Sequence, residues 1–144
     1  MAWDVFNKLA SRGNWSKEDA FYGILFAAAM ADGEVTASES EEVIALAHRT
    51  ATLKGVSMAD LQSMHSRVDG AFRKDFAAAL GEAAASVPKE AAPAVFAHAT
   101  DIIFADGKVV TQEVEFLRNL ASKLGLPEAD TNKIIEVMKT KNEF

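Results

Sequence analysis

The chain has 144 residues, a formal net charge of −6 and no cysteine. That length suits one domain and one core, burying roughly two-thirds of the surface of the unfolded chain. Lack of cysteine excludes disulfides, thiolate metal sites and thiol nucleophiles, and an acidic chain without a Lys/Arg cluster argues against nucleic acid as a partner.

Apolar residues make up 49% of the chain, against three prolines and eight glycines, a composition that favours close-packed helices over a sheet. Trp3, Phe6, Leu9 and Ala10 recur at helical spacing and predict a short helix over 2–11, ending near Gly13. Ser16 is an N-cap candidate for a helix running to Ala31 with Phe21, Ile24, Leu25 and Ala28 on one face. Gly23 and the alanines at 27–29 keep that helix slim, which places it centrally in a bundle. Thr36 and Glu39 form a Thr-x-x-Glu capping box for a helix carrying Val43, Ile44, Leu46, Ala47 and Leu53, with Gly55 as its end.

Ser57 caps a helix through Leu61, Met64 and Val68, and Gly70 is expected to separate it from one with Phe72, Phe76 and Leu80. Pro88 suits the first turn of a helix through Val95, Phe96, Ala99, Ile102 and Ile103. Val114, Leu117, Leu120 and Leu124 mark the next, and Pro127 opens a last one with Ile134, Ile135, Val137 and Met138, fraying from Lys139. No strand pattern persists over four residues. The expected class is all-α, a single-domain bundle of seven to eight helices. The start MAWDVFNKLA lacks a basic, apolar leader, and no stretch reaches eighteen apolar residues, so a cytoplasmic protein without a transmembrane segment is expected.

One stretch occurs twice. Residues 31–47 read ADGEVTASESEEVIALA, and 105–121 read ADGKVVTQEVEFLRNLA, with eight identities in seventeen aligned positions. Upstream, Phe21 matches Val95, Tyr22 matches Phe96, Leu25 matches Ala99 and Met30 matches Phe104. The repeated unit is therefore an apolar helix, an Asp-Gly-x-Val link and a second helix, over about 17–54 and 89–125, with spacer helices over about 56–86 and an internal pseudo-twofold relation expected.

The repeat carries carboxylates. Asp32 and Asp106 stand at helix C-termini, where a negative charge opposes the helix dipole by roughly 0.3–1 kcal/mol. Two readings stand: Asp-Gly is an ordinary turn pair, and a bound cation would compensate the charge. Glu39 and Glu113 lie in the first turn of the following helix, where the dipole favours them as caps. For Glu113 the cap position is Val110, which has no side-chain oxygen. Glu41 and Glu115, two residues on, read as solvated or outer-shell residues. The spacing Asp-Gly-x-Val-x-x-x-Glu equals the back half of an EF-hand loop, but the front ligand positions fall on Ala28, Met30, Ile102 and Phe104. One copy thus supplies two carboxylates, too few for a hard cation, while two copies together supply four.

With its doublet ADGEVTASE and ADGKVVTQE between apolar helices, the chain resembles the TerB family of tellurite-resistance proteins, itself related to the N-terminal domain of the membrane co-chaperone DjlA. The likeness spans about Lys17 to Val137. It implies an all-helical fold with pseudo-twofold halves, divalent-metal binding by Asp32, Glu39, Asp106 and Glu113, and a role with other stress-response or membrane-associated proteins at the inner face of the bacterial membrane. Oxygen-only ligands favour calcium or magnesium over zinc. His48, His65 and His98 show no ligand spacing and no companion nucleophile, so no enzyme is expected. The alternative is a metal-free interaction scaffold whose acidic residues are structural.

Overall fold

A computed structural model describes residues 15–33, 35–105 and 107–144. The expected helix over 2–11 lies outside them. Among the described residues there are seven α-helices and no strand: α1 (Lys17–Ala29), α2 (Ala37–His48), α3 (Met58–Lys74), α4 (Phe76–Ala85), α5 (Ala92–Ala105), α6 (Thr111–Lys123) and α7 (Glu128–Asn142), with a 3-10 turn at Lys89–Ala91 before α5. The all-α expectation holds.

Side-chain caps start the first four. Ser16 accepts from the Asp19 amide at 3.0 Å, Thr36 from Glu39 at 3.1 Å, Ser57 from Asp60 at 3.1 Å and Asp75 from Ala78 at 3.1 Å. Each satisfies one of the amides a helix start leaves without a partner.

The core is built around α1, buried without interruption from Ala20 to Ala28. A helix apolar on all sides must be enclosed, and α2, α3, α4 and α5 all pack against it. Gly23 leaves room for Trp15 and for Phe72 of α3, since a Cβ there would stand 2.7 Å from the Trp15 ring and 3.4 Å from that of Phe72. The same pattern recurs around α5: as α2 and α3 pack on α1, so α6 and α7 pack on α5. Helix α3, expected to be spacer, packs directly on α1.

Three boundaries differ from expectation. Gly55 does not end α2, which stops at His48; the Thr50 hydroxyl bonds back to the Ala47 carbonyl at 2.6 Å, and Leu53 is buried within turns. Such side-chain bonding competes with the helical ladder. Gly70 does not separate two helices either. A solvent-exposed helical glycine costs about 1 kcal/mol, and the stripe Leu61, Met64, Val68 and Phe72 holds α3 through it. The break falls at Asp75, whose extended backbone (φ −159°, ψ 99°) ends α3 and caps α4. Lastly, the tail is helical to Asn142 rather than frayed from Lys139, because Asp101 accepts from Lys141 Nζ at 2.9 Å and Asn142 Nδ2 at 2.7 Å.

Candidate functional site at the link end of the bundle

Helices α1 and α5 run side by side in parallel. Near their starts Phe21 shares a hollow with Pro88 and Val95; farther on, Phe21 meets the His98 ring at 5.2 Å; at their ends Ala29 shares a hollow with Ile102 and Ala105. Both Asp-Gly links therefore leave from one end of the bundle. They turn alike, with the Gly33 amide bonded to the Met30 carbonyl and the Gly107 amide to that of Phe104, each at 3.1 Å. Both glycines have positive φ (148° and 77°) with open space where a Cβ would go, so backbone conformation, not crowding, calls for glycine.

Asp32 is exposed beside a hollow of about 570 Å³. Met30, Phe76, Leu80 and Phe116 give that hollow an apolar floor, and Gln112, Glu115 and Asn119 of α6 share its rim with Asp32. Glu39 is elsewhere. It accepts from the Thr36 amide at 3.3 Å, completing the capping box, and lines a smaller hollow with Glu42, Asp101 and Ile102. Glu113 is 3% exposed and accepts from the Val110 amide at 2.9 Å. The glutamate half of the box is thus present in the second copy, without a hydroxyl half. Asp106 lies outside the described residues.

The structure thus sets Asp32 and Glu39 at different hollows, with Glu113 in neither. Among the described residues no three His, Cys, Asp or Glu side chains gather as a metal-binding group. The donors that do share a rim with Asp32 are another carboxylate and two amides, which fit a hard cation that takes oxygen ligands and keeps some of its water. Spacing within the repeat marked Glu115 only as a solvated or outer-shell residue and missed the two amides. A signal existed, because Gln112, Glu115 and Asn119 at i, i+3 and i+7 form a polar stripe on one face of α6.

Asp101 links Glu39's hollow to the tail. Burial pushes its pKa up, but hydrogen bonds from Asn142 and Lys141 and the Lys141 charge outweigh this and leave the carboxyl below its ordinary value. The histidines are packed: His98 on Phe21, His65 against Tyr22 and Phe26, and His48 bonded to the Val56 carbonyl at 3.0 Å.

On the outer side of α5 lies a groove of about 690 Å³ between α6 and α7, lined by Phe96, Phe104, Val109, Val114, Leu117 and Ile135 among others. Val114, expected in the core, is 38% exposed at it. No described helix is long and apolar enough to cross a membrane.

A family model described as Tellurite resistance protein TerB matches residues 18–136. No curated protein and no solved structure matches the chain.

Proposed function

The chain belongs to the TerB family, and on that footing we propose that it is a non-catalytic, single-domain protein that binds a divalent cation and acts within a tellurite or general stress-response complex. In this reading its halves are related by a pseudo-twofold axis along α1 and α5. One observation carries the cation reading: the Asp32 hollow has a polar rim made only of oxygen-bearing side chains, Asp32, Glu115, Gln112 and Asn119, at the end from which both acidic links emerge. Asp32 and Glu115 would hold calcium or magnesium there, with amide oxygens and water completing the shell; Asp106 is a ligand candidate from the sequence repeat alone. Glu39 and Glu113 serve as caps. Its partners would be cytoplasmic or membrane-associated stress-response proteins, met at the inner face of the membrane.

Calorimetric titration of chelator-stripped protein with calcium, magnesium, manganese and zinc tests this. Saturable heat with calcium or magnesium, weakened at least tenfold by Asp32→Asn, is expected. Absence of heat with every cation would leave the second reading, a metal-free interaction scaffold. Two observations favour that alternative: both repeat glutamates are engaged by backbone amides, and an apolar groove lies open beside α6 and α7.

A further inference from the structure

Tyr22, in the middle of α1, is 0% exposed, and its hydroxyl lies 2.6 Å from Nδ1 of His65 on α3. No buried side-chain nitrogen or oxygen among the described residues lacks a partner. Burial, with the Asp69 charge adding to it, holds the phenol far above its ordinary pKa, so the hydroxyl keeps its proton and donates it. With His65 as its hydrogen-bond partner, we assign the phenol hydrogen to Nδ1 as acceptor, which puts the ring proton on Nε2. The imidazole is further enclosed by edge contacts with Tyr22 at 5.8 Å and Phe26 at 5.3 Å.

We infer that this Tyr22–His65 contact is an acid-sensitive latch holding α3 on α1. A second proton on the ring would occupy Nδ1, the atom that accepts from Tyr22. The phenol oxygen can accept that proton's hydrogen bond, but the phenol's own hydrogen is then left without its acceptor on a side chain that is 0% exposed. A buried donor left unpaired is unfavourable, and a charge has been placed among aromatic rings.

The surroundings do not rescue the charged form. The charges acting on His65 are Asp69, which favours the imidazolium, and Arg73, which opposes it. Those two pair with each other at 2.8 Å. Asp19 of α1 is held by Arg67 at 3.0 Å. Of the other helices against α3, α2 has its His48 on the Val56 carbonyl, while α4 has Asp75 as its cap and Glu82 accepting from the Trp15 indole. Burial, the largest influence, depresses the His65 pKa. Release of the latch would uncover the buried stripe Leu61, Met64, Val68 and Phe72, giving the protein an apolar surface available only in acid.

The test is an NMR titration of the three histidines, with melting temperatures at pH 7.5 and 5.5, in wild type, Tyr22→Phe and His65→Gln. The His65 midpoint should fall below the free value of about 6.5 and rise by at least half a unit in Tyr22→Phe. Wild type should melt lower at pH 5.5, and both substitutions should shrink that gap, leaving the share due to His98. A wild-type midpoint at or above 6.5, or an unchanged midpoint and gap in Tyr22→Phe, would overturn the latch. If Tyr22→Phe does not fold, the wild-type midpoint and the gap in His65→Gln decide: a depressed midpoint with a reduced gap supports it, and any other result overturns it.

Discussion

At matched positions of the two links, side chains exchange core for solvent. Val35 is 7% exposed and Val109 42%, whereas Glu39 is exposed and Glu113 is 3% exposed. The cap residue differs too. Thr36 supplies a hydroxyl and completes its box in solvent, while Val110 has none and only its own amide is served, by a glutamate drawn into the body. The third helices diverge in the same sense. Helix α3 packs on both α1 and α2, joined by the long link 49–57 that inserts Leu53, whereas α7 follows the short link 124–127 and lies chiefly on α5. One unit is closed and the other leaves a groove. The same spacing thus secures the same turn and helix order, while cap chemistry and link length decide which side chains end inside.

The largest consequence is energetic. Leu53→Ala should cost about 2–5 kcal/mol, as for other core truncations, and Val109→Ala about 0.5 kcal/mol or less, as for surface changes. Urea unfolding midpoints check this, and equal losses would erase the contrast between units. Exchanging the caps sharpens it. Thr36→Val should lower stability by about 1 kcal/mol, and Val110→Thr should raise it by a similar or smaller amount by completing the second box. Thermal melts that fall for both would show that Val110 is held for reasons other than capping.

Two imidazoles also lie against α1, His65 from α3 and His98 from α5. Burial lowers both pKa values. Between the folded and unfolded pKa the unfolded state binds more protons, so this contribution to stability is complete above about pH 6.5 and is lost as pH falls below it. Asp101 behaves likewise at lower pH, contributing above its ordinary 3.8 and losing that contribution as pH falls through its depressed value. Unfolding midpoints across pH 3–8 should show both declines; a flat profile from 7.5 to 5.5 would contradict the first. A small effect is expected of Asp101→Asn, at about 1 kcal/mol or less. Amide exchange should quicken in the last turn of α7 and stay unchanged in α3.

Much of the fold was legible in the sequence because caps are local. Ser16, Thr36 and Ser57 each announce a helix start through a bond spanning three residues. What escaped was decided by long-range packing. Gly70 stays helical because residues on both sides of it are buried against the core, and the tail persists because Asp101, forty residues back, receives Lys141. At the site, Asp32 stood out through the repeat. Gln112 and Asn119 did not, and Glu115 read only as a solvated or outer-shell residue, since only the tertiary fold brings α6 against the first link. Tyr22 and His65 lie forty-three positions apart and carry no local signal.

Cation binding at the link end is tested most directly by the melting temperature of wild type and of Asp32→Asn with Asp106→Asn, each with calcium and with chelator. At a hundredfold excess of calcium over its dissociation constant, binding should stabilise wild type by about 2.7 kcal/mol, seen as a rise in melting temperature that the double substitution abolishes. No rise in wild type, or an undiminished rise in the double variant, would make these aspartates turn residues and contradict the cation reading.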